Sequence, residues 1–501
     1  MKKIISLLLA VMLVASITIV SFSAATTGTP LNKDQKVSFT LSCSKSGYEF
    51  SVYKVAELVT ASAPAYTAKY NSLVAEIGSS VNAGDSSAVL TALDGIDTMS
   101  IAPVGTYKVE TDGASKEFSN MAQGIYYVRA TNFPAGVKSV TNSVFALPYY
   151  DATAGWKYSL DGAVNLASKV QEDVPTIVKK ITNSTKNNDN FTDVSLGDTV
   201  DFAITTSTVG ATNATSTKDF KLNSYIITDK MSKGLTLDQN SFAVKLTDAS
   251  GTVLSTLAKS NYDVSVTAAE GQDTDFTVSL KKAYLQTDNF YSAKYVLTTY
   301  SAKLNKYAVT TTAGNPNEAV RLSYSNKNDV TATVDGNTVY VYTYGARVNK
   351  YDDSGSALAG ADFSLYRTEA NATADENAIA TGTSDTNGKV VFKTGGNEIK
   401  LQSGTYYIRE TKAPTGYNRY TDVIPVTISV EYNNTIANNT YVKSAPTGGI
   451  ATVDVKNSKT ILPQTGGEGY TMLYCISAVM LMAGIVAFLT VRKRKKDNAE
   501  S

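Results

Sequence analysis

Between positions 37 and 457 apolar and polar residues alternate in short runs with a period of two, and Gly, Asn and Asp break the runs. Val37-Ser38-Phe39-Thr40-Leu41, Thr338-Val339-Tyr340-Val341-Tyr342 and residues 423–430 show the pattern clearly. Such alternation turns one side of a strand toward a core and the other toward water, and turn residues at these intervals predict stacked antiparallel sheets. The expected fold class is all-β, a tandem of β-sandwich domains. One stretch departs from it: between Tyr66 and Ile96, Leu73, Val74, Ile77, Val89, Leu90 and Leu93 fall closer to helical spacing. A partly helical insertion in the first domain is expected there.

Two longer apolar runs frame this region. Ile4 to Val20 follows Lys2 and Lys3 and leads into the small residues Ser21 to Ala25, which reads as a secretory signal peptide over residues 1–25. Tyr470 to Val491 is followed by Arg492-Lys493-Arg494-Lys495-Lys496. About 20 apolar residues cross a bilayer as a helix, and the basic cluster keeps its own end inside. The precursor is thus expected to carry a single C-terminal transmembrane helix, with everything before it exported.

Composition narrows the function. Lys and Arg total 46 against 45 Asp and Glu, so no charge excess points to nucleic acid. With no His in the chain, His-based triads and His-ligated metal sites are excluded, and neither cofactor nor metal is expected. Of the two Cys, Cys475 lies in the apolar tail; Cys43 is left alone, so the exported part has no intrachain disulfide. Any covalent reinforcement has to come from other side chains.

The chain also repeats itself. Gly404-Thr-Tyr-Tyr-Ile-Arg-Glu410-Thr-Lys-Ala-Pro414-Thr-Gly416 echoes Gly124-Ile-Tyr-Tyr-Val-Arg-Ala130-Thr-Asn-Phe-Pro134-Ala-Gly136, and Phe363-Ser-Leu-Tyr366 echoes Phe50-Ser-Val-Tyr53. The first and last domains are therefore expected to share an architecture, around a middle module without the echo. The expected boundaries are 26–172, 173–345 and 346–460, with a terminal segment over 461–501.

In that terminal segment Leu462-Pro463-Gln464-Thr465-Gly466 stands before the apolar run and basic stop. The order resembles the LPXTG cell-wall sorting signal of Gram-positive bacteria, in which a sortase cysteine attacks the Thr carbonyl. Tyr406-Tyr-Ile408-Arg-Glu410-Thr-Lys-Ala413-Pro414-Thr-Gly416-Tyr417 fits the E-box, YxIxExxAPxGY. The whole chain resembles pilin subunits of sortase-assembled pili, strings of immunoglobulin-like domains of collagen-adhesin A and B type stapled by Lys-Asn isopeptide bonds. The resemblance implies B-type domains first and last and an A-type domain between them.

A Lys amine attacks an amide only when neutral, and burial removes its proton. A carboxyl kept protonated by the same burial can polarise the amide while ammonia leaves. By resemblance Lys350 is assigned to Asn457 with Glu410 assisting, and Lys179 to Asn326 with Asp229 assisting. Lys179 rather than Lys180 shares a face with Ile177 and Ile181. The bonds would join the first and last strands of each domain, where tension enters and leaves. In the first domain the matching positions are Val37, Ala130 and Ser168, so no staple is expected.

Backbone pilins of this family carry WxxxVxVYPK, whose Lys accepts the next subunit. Trp156 and Val164-Asn-Leu166-Ala-Ser-Lys169 can be set on it, although Tyr-Pro is Ala167-Ser168 and Trp156 lies four residues too far away. Lys169 is the expected polymerisation nucleophile, with Lys157, Lys179 and Lys180 as rivals. The resemblance implies a non-enzymatic shaft subunit in a cell-wall-anchored surface pilus. Its implied partners are a class C sortase, a housekeeping sortase, identical subunits, peptidoglycan, minor pilins and host surface ligands. A wall-anchored adhesin or a minor pilin is the alternative.

Overall fold

The computed structural model describes residues 31–60, 68–82, 85–140, 142–151, 153–166, 170–172, 174–209, 221–460 and 469–497. The signal peptide, Lys169 and the Leu462 to Gly466 motif lie outside the described residues. The chain divides into two compact bodies. The first runs to Gly345 and also takes in Lys400–Ser403 and Ser429–Gly449; the second contains Ala346–Ile399, Gly404–Ile428 and the strand Ile450–Asn457. The stretch 346–460, expected as one domain, thus lends two segments to the first body.

The first body opens with a sandwich. Strand Val37–Ser42 lies between Ser115–Met121, antiparallel, and Ser159–Asn165, parallel. The facing sheet is built on Glu49–Thr60 and Gly124–Asn132, which are paired with Ala68–Ser72, Gly105–Lys108 and Ser143–Leu147. Between the sheets Phe39 stacks on Phe118 at 5.1 Å and meets Phe145 edge-on at 5.0 Å. Strand Gly124–Asn132 is buried on both faces from Gly124 to Ala130, where alternation alone predicts burial on one. The insertion explains it: the 3-10 segment Ala75–Asn82 and the helix Ser86–Asp94 lay Ile77, Val89 and Leu93 over Tyr53, Ile125 and Tyr127. Asp85 caps that helix by accepting from the Ala88 N–H at 3.0 Å, a favourable use of a short acidic side chain.

Further along, Ile177–Ile181, Thr199–Ser207, Tyr295–Leu304, Leu235–Thr247 and Val253–Thr256 form one sheet in that order. The sheet containing Ser224–Met231, with Thr274–Leu280 on one side and Arg321–Ser325 on the other, shares a single hydrophobic core with it. Alternation is strict in two of these strands. Ile177, Lys179 and Ile181 are buried while Val178 and Lys180 are not, and in Tyr295–Leu304 every second residue from Val296 onward is buried. The hairpin of Glu431–Ala437 and Thr440–Ser444 also belongs to this body, where Tyr432 and Tyr441 each stack on Phe191 at 4.8 Å.

In the second body Gly345–Asp352 lies between Lys389–Val391 and Ile450–Asn457, facing a sheet built on Asp362–Tyr366 and Gly404–Lys412. The sequence echo is also an echo of register: Phe50 pairs with Ala130, and Phe363 pairs with Glu410. The arginine that precedes each of these positions does the same work. Arg129 donates to the Ile96 carbonyl just after the first helix, and Arg409 to the Ala372 carbonyl in helix Glu369–Ala374. Separately, Gly469–Asp497 is one helix. Its Tyr474–Lys495 portion is 22 residues long, with mean hydropathy 2.2 and no burial, enough by length and composition to cross a membrane.

Candidate functional sites: two buried lysine, acid and asparagine clusters

Lys179 is placed in the core by the inward face of Ile177–Ile181 and is fully buried. A buried ammonium needs partners, because desolvation of a charge is costly. Its Nζ lies 2.5 Å from Asp229 Oδ1 and 2.7 Å from Asn317 Oδ1, and it also donates to the Glu318 carbonyl. Asp229 Oδ2 accepts from the Tyr300 hydroxyl at 2.7 Å, and the oxygen of Tyr300 accepts from Asn317 Nδ2 at 2.7 Å. Lysine, acid, phenol and amide close a ring with no polar atom left over. Its walls are aromatic: Phe202 stacks on Tyr300 at 5.1 Å, and Phe276 meets it edge-on at 4.9 Å. Burial pushes the Lys179 amine below its ordinary pKa and the Asp229 carboxyl above its own, so the pair is driven toward amine and carboxylic acid.

The asparagine at this site is Asn317, where the sequence pointed to Asn326. Strand Ser224–Met231 explains the difference. Asn317 pairs with Met231, two residues from Asp229 and on the same face of the strand, whereas Ser325 pairs with Ser224. Asn326 therefore lies past the opposite end of that strand, about 20 Å from Asp229 at roughly 3.3 Å per residue. Its buried amide has other work: Oδ1 accepts from the Asn328 and Val330 N–H groups at 2.9 and 3.1 Å, and Nδ2 donates to the Phe133 carbonyl. It is a turn and joint residue. Nor is Asn317 in the last strand of this module; Val339–Tyr342 follows it.

The second cluster is assembled from the expected residues. Lys350, Glu410 and Asn457 are all buried, on the strands Gly345–Asp352, Gly404–Lys412 and Ile450–Asn457. Gly388 lets the chain pass against Lys350: the Lys350 N–H donates to its carbonyl at 2.7 Å, and any Cβ there would meet the Lys350 carbonyl oxygen at 2.3 Å. Glu410 Oε1 accepts directly from Asn457 Nδ2 at 2.7 Å, while Oε2 accepts from the Tyr420 N–H at 2.6 Å. Lys350 Nζ rests on the carbonyls of Tyr351 and Val455 at 2.9 and 3.4 Å, and Asn457 Oδ1 is buried without a hydrogen bond. Burial again moves the lysine pKa down and the acid pKa up.

Both arrangements hold a deprotonation-prone amine, a protonation-prone acid and a primary amide in a dry core, the set needed to exchange ammonia for a lysine amine. The matching place in the first sandwich holds the buried apolar residues Val37 and Ala130, while Ser168 lies outside the described residues. Trp156 is half-buried, edge-on to Tyr150 at 5.4 Å. Among the rival lysines, Lys157 pairs with Asp161 at 3.3 Å, Lys180 pairs with Asp189 at 2.9 Å, and Lys179 is sealed in the core, out of reach of another protein. Sequence reasoning missed Tyr300 as well as Asn317. The signal for Tyr300 was its inward position in an alternating strand, which by itself is shared by any core aromatic.

Comparison with known proteins agrees with this architecture. Residues 345–443 match the SpaA family of prealbumin-like fold domains, and residues 454–498 match the LPXTG cell wall anchor motif. The trypsin-resistant surface T6 protein of Streptococcus pyogenes serotype M6 is 24% identical over 424 residues, covering 79% of this chain and 73% of that protein. The solved T6 backbone pilin of serotype M6 S. pyogenes, described as a modular three-domain structure, aligns with a TM-score of 0.50 and 18% identity, over 86% of this chain and all of that one. The full-length RrgB pilus protein of Streptococcus pneumoniae gives a TM-score of 0.50 at 15% identity, over 86% and 99% of the two chains.

Proposed function

From the premise of a cell-wall-anchored surface protein built like the major pilins, we propose that the chain is the repeating shaft subunit of a covalent pilus. A sortase cleaves after Thr465 within Leu462-Pro463-Gln464-Thr465-Gly466. The Thr465 acyl group then passes to Lys169 of an identical subunit or, at the base, to peptidoglycan. One subunit offers both donor and acceptor, so joining is head-to-tail and the polymer stays open. Within each subunit Lys179 bonds to Asn317 with Asp229 assisting, and Lys350 to Asn457 with Glu410 assisting, each losing one ammonia.

The observation that carries this reading is the pair of buried lysine, acid and asparagine clusters in an exported, anchored chain. A single buried ion pair is an ordinary core feature, but two such sets in separate compact bodies, each with a carboxylate and a carboxamide at hand, fit autocatalytic cross-linking. A chain with no disulfide to call on gains mechanical continuity from such bonds.

Polymerisation is tested on the native cell surface. Wild-type cells carrying a class C sortase are expected to show a ladder of covalent multimers that survives boiling in detergent. Lys169→Arg is expected to collapse the ladder to monomer, since a guanidinium stays protonated and cannot accept the acyl group. The monomer remains wall-bound through Thr465. A ladder that persists in the mutant moves the nucleophile to Lys157 or Lys180; no ladder in wild type replaces the shaft with a singly anchored adhesin.

A further inference from the structure

The two clusters differ in how the acid reaches the amide nitrogen that has to leave. At Asn457 the contact is direct, Glu410 Oε1 to Nδ2 at 2.7 Å. At Asn317 a phenol stands between: Nδ2 donates to the Tyr300 oxygen, and the Tyr300 hydroxyl donates to Asp229 Oδ2, both at 2.7 Å. The other Asp229 oxygen is occupied by Lys179 Nζ and by the Lys230 N–H at 3.0 Å. Tyr300 is 1% exposed and sits among Phe202, Phe242 and Phe276, so no water chain to solvent substitutes for it.

We propose that the Tyr300 hydroxyl is a catalytic proton relay for the Lys179–Asn317 bond, carrying a proton from Asp229 to the departing nitrogen of Asn317. The inference rests on the isopeptide reading of this site. As neutral Lys179 Nζ attacks Asn317 Cγ, the new N–C bond forms and Nζ gives one proton to Asp229 Oδ1. The Tyr300 hydroxyl turns its proton from Asp229 Oδ2 toward Nδ2 and delivers it there, and the protonated Asp229 replaces it from Oδ2, so the Tyr300–Asp229 hydrogen bond reverses as well. The amide nitrogen becomes a proton acceptor only when Cγ turns tetrahedral, so the hydrogen bond that Nδ2 now donates to Tyr300 reverses at that stage. The Cγ–Nδ2 bond breaks and ammonia leaves. Asp229 and Tyr300 end as they began, and the exchange of amine and amide for amide and ammonia balances without another reactant.

The test follows bond formation in the full-length chain made by cell-free synthesis, sampled in time and digested for the two cross-linked peptides. The Lys350–Asn457 peptide serves as an internal clock for folding. Tyr300→Phe, which removes only the hydroxyl, is expected to slow the Lys179–Asn317 peptide by about a hundred-fold or more, the range of a lost general acid, while the clock keeps wild-type time. A rate within two-fold of wild type overturns the relay. Fluorinated tyrosines placed at 300 keep the ring and its packing while changing the phenol's acidity; the rate should change systematically with that acidity, and a flat series overturns the relay even if the phenylalanine variant packs poorly. Absence of the Lys179–Asn317 peptide from wild type removes the isopeptide reading itself, which is a different result from its presence at an unaltered rate in the variants.

Discussion

The Lys179 and Lys350 clusters use the same three residue types and hold them differently. In the first body the lysine bridges the two sheets of a sandwich and the ring around it is closed, with Tyr300 completing it. In the second body lysine and asparagine sit on neighbouring strands of one sheet, the acid touches the amide directly, and the amide oxygen is left without a donor. One site is fully satisfied as it stands. The other retains an unmet buried acceptor, which costs free energy. Burial sets the proton balance at both, so the shared chemistry comes from the core and the differences come from topology.

Topology matters most under load. A bond from Lys179 to Asn317 encloses 138 residue steps, and one from Lys350 to Asn457 encloses 107, taking 350 from 457. By the chain-entropy relation for cross-links both stabilise by about 5 kcal/mol, so equilibrium unfolding barely separates them. Pulling does. Force that crosses from Lys350 to Asn457 bypasses nearly the whole second body, whereas force leaving Asn317 still runs through residues 318–344. The first sandwich, with Val37 and Ala130 in place of lysine and acid, has no such bypass. Single-molecule stretching of one subunit held by residues 26 and 465, a geometry that loads the first sandwich as a pilus joined at Lys169 does not, is expected to release that sandwich as the largest event, about 45 nm for residues 37–166 at about 3.5 Å per residue. A much shorter release comes from 318–344, and none from between Lys350 and Asn457. No large release at any force would mean that the first sandwich is cross-linked too.

A smaller effect separates the acids from ordinary carboxylates. Lys350→Met cannot form the bond and leaves Glu410 buried beside Asn457. Burial holds the Glu410 pKa above its unfolded value, so its protonated form favours the fold; that stability is full below the unfolded pKa and is lost as pH rises through the folded one. Lys350→Met should therefore melt higher at pH 5 than at pH 7.5, relative to Lys350→Met with Glu410→Gln, in which nothing titrates at that position. Equal pH dependence in the two variants would show that Glu410 ionises freely in the fold.

Much of this was legible in the chain. The faces of Lys179 and Lys350 follow from strand alternation, and the echo of Gly404–Lys412 in Gly124–Asn132 became an echo of register because paired strands with the same turn chemistry adopt the same offset. Asn317 was not legible, because alternation gives a residue its face but not its height along a neighbouring strand, and Asn317 and Asn326 differ in height. The packing of the hairpin 429–449 was not legible for a related reason. Chain order placed it with the last domain, while its tyrosines find their aromatic partners Phe191 and Tyr342 in the first body. Tyr300 carried no mark distinguishing it from the other buried aromatics.

The central claim is that this chain closes two side-chain bonds, at Lys179–Asn317 and Lys350–Asn457, and none in the first sandwich. Intact-mass spectrometry of residues 26–465, followed by peptide mapping of the linked fragments, tests it most directly. The expected mass is that of the composition less two ammonias, with the two losses mapped to those pairs; Asn317→Ala and Asn457→Ala each restore one, and Asn326→Ala restores none. A protein at its full compositional mass, or a linked peptide joining Lys179 to Asn326, would contradict the account.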